Sequence, residues 1–168
     1  MTDSKFDAPC GTIRTFSLGE KMLIRLSFYL SVLVGGYGMW PASPWLALGY
    51  AMFVGVSYTL LMRFSVCARC PHVFVAGDCL FVPAPLVKLF VEPRQGRLKG
   101  WEGGAAMVAV VGTIAIPVYW LVADPVLLIA FLALTFGYLV GLVGHICKKC
   151  QVEVCPLNRN ADIVRAPR

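Results

Sequence analysis

Charged residues are scarce in this chain: they make up 14% of its 168 residues, whereas hydrophobic residues make up 58%. A soluble domain of this size does not carry so much apolar surface, so the composition indicates a membrane protein. Also missing are a phosphate-binding glycine loop, a Ser-His-Asp set, paired carboxylates and a dinucleotide fingerprint. We therefore expect a non-catalytic subunit rather than a self-sufficient enzyme.

Ionisable residues are absent from the middle of the apolar segments. No Asp, Glu, Lys or His lies at mid-bilayer depth, and Arg25 and Arg63 are near enough to segment ends for their side chains to reach the interface. Ion-coupled transport and proton relays depend on intramembrane ionisable groups. Bis-histidine haem needs histidines within the helices, and the chain has only two, both at segment ends. The sequence argues against all three functions.

Four apolar segments are each long enough to cross a bilayer, which takes about 20 residues. They cover residues 22–40, 45–66, 105–123 and 126–146. The connections Pro41-Ala42-Ser43-Pro44 and Asp124-Pro125 are too short for anything but tight antiparallel turns. The sequence predicts one all-α membrane domain: a tail (1–21), a helical hairpin (22–66), a loop (67–104), a second hairpin (105–146) and a second tail (147–168).

The two hairpins read as a tandem duplication. Cys67-Ala68-Arg69-Cys70 ends the first hairpin, and Cys147-Lys148-Lys149-Cys150 ends the second, 80 residues later. The same offset superposes further identical residues, namely Trp40 on Trp120, Leu48 on Leu128 and Tyr58 on Tyr138. We expect the copies to be related by a pseudo-twofold axis along the membrane normal, so that both cysteine pairs meet at one end of the bundle.

Basic residues fix the expected orientation. All 15 Lys and Arg residues lie in the tails, in the 67–104 loop or at the adjoining segment ends, and neither hairpin turn contains one. Because Lys and Arg are retained on the cytoplasmic side, we place both tails and the loop in the cytoplasm, in the cell inner membrane. This topology accounts for the net charge of +6 without a nucleic-acid partner. The basic face is also where we expect a redox partner to dock.

Cysteines supply the candidate chemistry. A CxxC pair at a helix end places two sulfurs on adjacent turns, close enough for one metal ion or one cluster edge. We expect Arg69, Lys148 and Lys149, which lie between the thiols, to lower the thiol pKa values. The candidate metal ligands are Cys67, Cys70, Cys79, Cys147, Cys150 and Cys155, with His72 and His145 as possible additions.

Three uses of these thiols remain open. The first is an iron-sulfur cluster held by Cys67, Cys70, Cys147 and Cys150, in an electron-transfer or anchor subunit of a membrane redox complex. The second is zinc, bound at one shared site or at two sites of three cysteines and one histidine, in a scaffold or assembly protein. The third is a thiol-disulfide relay.

The relay interpretation rests on a resemblance in general architecture. In helix number and CxxC use the chain resembles the four-helix membrane oxidoreductases of the DsbB and vitamin K epoxide reductase families. That resemblance implies thiol-disulfide exchange on the oxidising side of the membrane. The charge bias here places every cysteine of the loop and second tail on the reducing side, where disulfides are transient. We therefore rank the iron-sulfur centre first.

Overall fold

Four long helices and two short ones make up the part of the chain that the structure describes. The computed structural model describes residues 15–64, 67–80, 82–94, 99–150 and 159–160, without the side chains of 62–64. The helices are α1 (Leu18–Met39), α2 (Pro44–Phe64), α3 (Pro71–Phe74), α4 (Ala84–Phe90), α5 (Gly100–Leu121) and α6 (Pro125–Gly141). A 3₁₀ turn (Cys67–Arg69) precedes α3, and a π turn (Leu142–Ile146) extends α6.

The long helices carry the membrane assignment. The segments Leu18–Met39, Pro44–Leu61, Gly100–Leu121 and Pro125–Ile146 are each long and apolar enough to cross a bilayer. Their outer faces expose large apolar side chains, for example Leu33 at 66%, Val111 at 52% and Phe136 at 69%. A soluble protein does not leave such a surface in water. The prediction of an all-helical, multi-pass membrane protein is confirmed at this level.

Two helices begin earlier than the hydropathy predicted, because polar caps extend them. α1 begins at Leu18 rather than at residue 22, since the Ser17 hydroxyl accepts from the Glu20 amide and the Glu20 carboxylate accepts from the Ser17 amide. This reciprocal pair is a capping box. α5 begins at Gly100 rather than at residue 105, where the Lys99 amide donates to the Glu102 carboxylate at 2.8 Å.

The bundle has two distinct ends. The turns at 40–43 and 122–124 form one end, the turn end, and all segments that carry the described cysteines lie at the other, the cysteine end. α1 packs against α2, α5 and α6, while α2 packs on α5 and α5 on α6. Gly35 of α1 permits the close approach to α5, because a Cβ there would lie 2.9 Å from Cγ of Pro117.

Pro117 in the middle of α5 leaves one backbone carbonyl without its usual partner. Proline has no N–H, so the carbonyl of Thr113 loses its intrahelical donor. The Tyr50 hydroxyl of α2 donates to that oxygen at 3.0 Å. A buried acceptor left without a donor costs about 1–3 kcal/mol, so the Thr113 carbonyl needs another partner. The bond therefore fixes how α2 lies against α5.

Candidate metal centre at the cysteine end

A small apolar core shapes the segment between α2 and α5. Residues 67–94, the first arm, bury Ala68, Val73, Cys79 and Val87 against one another, with Cys67 and Cys70 packed on that cluster. The amide of Arg94 donates to the Ala68 carbonyl at 2.8 Å, which closes the arm on itself. The arm is thus a folded unit, and its compactness brings Cys79 back to the CxxC pair.

Four thiols from two parts of the chain interact at this end. The Cys67 and Cys79 thiols are in hydrogen-bond contact, and Cys70 lies within electrostatic range of both Cys79 and Cys150. Cys150 belongs to the second arm, whose described residues are 147–150 and 159–160. Cys67, Cys70, Cys79 and Cys150 therefore form a chain of neighbours that joins the two arms, and we call them the thiol group.

Cys147 lies at the start of the second arm. It is buried, 7% exposed, directly after the π turn, and its amide donates to the Leu142 carbonyl at 2.9 Å. Its sulfur lies within electrostatic range of Tyr138 in α6. The expected symmetric set of Cys67, Cys70, Cys147 and Cys150 stays a prediction, and Cys79 joins the interactions around Cys67. Cys155 lies outside the described residues.

The thiols are harder to ionise than the sequence suggested. The hydrogen bond with Cys79, burial and the neighbouring thiols raise the pKa of Cys67. Burial is the main cause that raises the pKa of Cys70 to about 12, and the proximity of Cys150 and Cys79 adds to it, although backbone hydrogen bonds oppose the rise. The prediction that the basic residues of the motifs lower the thiol pKa values is wrong at these two cysteines.

Carboxylates from the long helices form ion pairs with Arg69 and Lys149 of the CxxC motifs. The Arg69 guanidinium meets the Glu102 carboxylate at 3.0 Å, and both side chains are buried, at 8% and 1% exposure. Lys149 Nζ lies 2.6 Å from Oε1 of Glu20. Each CxxC motif is thereby tied to a transmembrane helix, α5 for the first and α1 for the second, and the cations serve to position the arms.

The two histidines differ sharply in environment. His72 is 1% exposed, and its ring packs on Phe16 with centroids 4.8 Å apart. It also interacts electrostatically with Asp78. His145 is exposed on the π turn. Of the two possible additional ligands, His72 therefore lies inside the cysteine end and His145 lies on its surface.

Residues near the start of α1 hold the first arm in place. The sequence did not predict these contacts. Arg25 donates through Nε to the Leu80 carbonyl at 2.8 Å and through Nη2 to the Cys79 carbonyl at 3.0 Å. Lys21 Nζ lies 2.6 Å from Oδ1 of Asp78. Read from the sequence, Arg25 was only an interfacial cation. The signal available was the run of charges in Glu20, Lys21 and Arg25 at the start of an otherwise apolar helix.

Asp78 is the residue of the first arm that binds the start of α1. Besides the ion pair with Lys21, its carboxylate accepts from the Phe16 amide at 2.9 Å. Burial opposes ionisation of this group, but the bonds from Lys21 and Phe16 together hold the pKa of the carboxyl below its usual value. Asp78 precedes Cys79, so its anchoring fixes the backbone that presents the Cys79 thiol.

The cysteine end offers soft sulfur donors that are buried or partly buried from solvent. The five described cysteines are thiols and form no disulfide among themselves. Over the described ranges no three His, Cys, Asp or Glu side chains are already gathered closely enough to hold a metal ion. The thiol group is a chain of neighbours, so metal binding would require the arms to close around it. Thiolate sets of this kind suit zinc and iron-sulfur clusters.

Comparison with known proteins gives no family for this chain. No protein-family model, no curated protein and no solved structure matches it. What the chain does must therefore be argued from its own residues.

Proposed function

We propose that this protein is a small membrane subunit whose cysteine end carries an iron-sulfur centre. The observation that carries the proposal is the thiol group, in which Cys67, Cys70 and Cys79 interact within one arm and Cys70 lies within electrostatic range of Cys150 in the other. Four soft donors at one end of a bundle with no ionisable residue at its centre suit a metal centre better than transport or acid-base chemistry. When bound, such a cluster supplies one-electron transfer.

The thiol group defines the ligand set that we propose. Cys67, Cys70, Cys79 and Cys150 are the four ligands, with Cys155 available as an alternate. Arg25 and Asp78 act as positioning residues, because they fix the backbone at Cys79. Partners that orient ligands from outside the ligand shell contribute to affinity in metal sites generally. In this protein they come from α1 and from the arm itself.

We further propose that the cysteine end faces the cytoplasm of the inner membrane. The support is the charge distribution: basic side chains such as Lys21, Lys88 and Lys149 belong to the cysteine end, and the turns at 40–43 and 122–124 contain none. The duplicated origin of the hairpins is supported by Tyr58 and Tyr138, which both pack on Phe28 with ring centroids 4.8 and 5.7 Å away. A soluble electron donor would dock on the cytoplasmic basic face.

Anaerobic purification tests the centre and its ligands together. We expect iron, acid-labile sulfide and a visible band that dithionite bleaches, and we expect Cys79→Ser to remove them while Cys147→Ser retains them. Loss of metal from Cys147→Ser but not from Cys79→Ser would restore the symmetric ligand set. Zinc in place of iron would leave a zinc-stabilised scaffold and end the electron-transfer proposal. A protein without metal would end the metal proposal altogether.

A thiol-disulfide relay is the second candidate, favoured by the Cys67–Cys79 contact. Oxidation would join these two sulfurs and release two protons and two electrons to a disulfide or quinone-class acceptor. The couple would then be Cys67 with Cys79 and not the two cysteines of one CxxC motif. Mass analysis of alkylated peptides after mild oxidation distinguishes the two pairings.

A further inference from the structure

A groove lies between α2 and α5, near the cysteine end of the bundle. It has a volume of about 250 Å³. Side chains from the two helices line it, namely Ser57, Leu60, Leu61, Trp101, Ala105 and Ala109. Of its lining residues Ala109 is buried, and the exposed side chains of Leu60 and Trp101 show that the groove opens to the lipid side. A lipid-soluble molecule would therefore have direct access to it.

The groove offers no net charge to an occupant. Glu102 also lines it, and its carboxylate is paired with the Arg69 guanidinium at 3.0 Å. Because the pair cancels, the described groove has no spare cation for the phosphate of a phospholipid. The Ser57 hydroxyl, which also lines the groove, makes no hydrogen bond with another residue that the structure describes. This combination favours an uncharged ligand that accepts a hydrogen bond.

The volume and the position of the groove limit the size and the kind of ligand that it can bind. Sites for drug-sized molecules measure about 300–1,000 Å³, so this groove takes one substituted ring and leaves any tail among the lipids. Arg69, which pairs with the groove residue Glu102, lies between Cys67 and Cys70. One ion pair thus links the groove to the first CxxC motif.

We propose that the groove between α2 and α5 binds the head of a lipid-soluble quinone. A quinone ring is flat, uncharged and carries carbonyl acceptors, and its tail is apolar. Its role as electron acceptor rests on the proposed function, whereas its binding does not. Reduction to the quinol would take two electrons, supplied by the soluble donor, and two protons from water.

Trp101 lines the groove, so its fluorescence can report quinone binding. Replacing Trp40, Trp45 and Trp120 by Phe leaves Trp101 as the sole indole, since the chain has four tryptophans. In nanodiscs of phosphatidylcholine, titration with a short-tailed ubiquinone analogue should quench Trp101 fluorescence in a saturable manner. We expect Ala105→Phe, which fills the groove, to weaken the apparent affinity at least about tenfold, equivalent to about 1.4 kcal/mol. Ala133→Phe, on the exposed face of α6, should leave it unchanged.

The control outcomes separate this inference from the proposed function. Quenching that is linear in quinone, or that is equal in the Ala105→Phe and Ala133→Phe variants, would overturn the groove site. So would displacement of the quinone by phosphatidylglycerol, because it would identify a phospholipid site instead. Ser57→Ala, a milder change, should also weaken binding if the hydroxyl donates to the ring. Saturable quenching that persists in metal-free Cys79→Ser protein would support quinone binding in the groove. It would do so independently of the metal centre, which the metal analysis tests separately.

Discussion

Arg69 and Glu102 form a buried ion pair that joins the first CxxC motif to α5, with Nη2 and Oε2 3.0 Å apart. Glu102 also accepts from the Lys99 amide at 2.8 Å, so one carboxylate starts the helix and holds the arm. Because both side chains are almost fully buried, neither charge is well solvated when its partner is lost. The pair therefore makes the position of the thiol group dependent on α5.

Removing one member of this pair should cost more stability than removing both charges. We expect Glu102→Gln to destabilise the protein by about 3 kcal/mol, because it leaves a buried guanidinium without its counter-charge. The double variant Arg69→Met with Glu102→Gln should regain most of that loss. Thermal unfolding in detergent micelles, followed by circular dichroism, measures both. Glu92→Gln, at an exposed position, is the matched control.

The bond from Tyr50 to the Thr113 carbonyl should matter only because Pro117 cannot donate. Tyr50→Phe is expected to cost about 1 kcal/mol, the usual range for an unsatisfied buried group being about 1–3 kcal/mol. In a Pro117→Ala background the new amide supplies the donor, and the cost of Tyr50→Phe should fall towards zero. Tyr29→Phe, at an exposed tyrosine, serves as the control. Equal costs in both backgrounds would refute the compensation.

Adjacent glycines in α1 should respond differently to a methyl group. Gly35→Ala would place a Cβ 2.9 Å from Pro117 and 3.3 Å from Phe131, so we expect a loss of about 1–3 kcal/mol from overpacking. Gly36→Ala meets no atom within 4 Å and should be neutral or slightly stabilising, since alanine favours helix. Unfolding of the two variants side by side in micelles checks the helix contact. Similar behaviour of both would contradict it.

Arg25 should control metal retention through the backbone of Cys79. Arg25→Met removes both donors to the carbonyls of residues 79 and 80, and we expect metal affinity to fall about 10–100-fold, as it does when outer partners of metal ligands are lost. Competition with a chelator measures the affinity. Lys88→Met, which removes an exposed cation from the same arm, is the matched control. An Arg25→Met variant that stays folded but binds metal less tightly would support the positioning role of Arg25. An unchanged metal affinity would exclude that role.

The orientation can be tested by thiol labelling in intact cells. Ala42→Cys places a new cysteine in the first turn, where the native residue is exposed. A membrane-impermeant maleimide should label that variant above the unmodified protein and should leave Cys67 and Cys150 unlabelled until the membrane is opened. Labelling of the native cysteines from outside would reverse the orientation and would move the relay ahead of the metal centre.

Local sequence determined the helices of this protein. Hydropathy and the prolines at 41, 44 and 125 predicted four spans and two tight turns, and the structure has them. These features depend on residues close together in the chain, so they can be read without knowing the fold. The errors at the starts of α1 and α5 have the same origin, because the caps at Ser17 and Glu102 extend helices through polar residues that hydropathy does not count.

Tertiary structure alone decided which side chains meet at the cysteine end. The first arm folds on its own core and brings Cys79 to Cys67, a contact that the repeat did not predict. Nor did the sequence reveal that Arg25 reaches the Cys79 carbonyl or that Tyr50 reaches Thr113. The long helices are apolar around most of their circumference, so their sequences do not fix how each is rotated in the bundle. Contacts between distant residues set that rotation, and they exist only once the helices have packed.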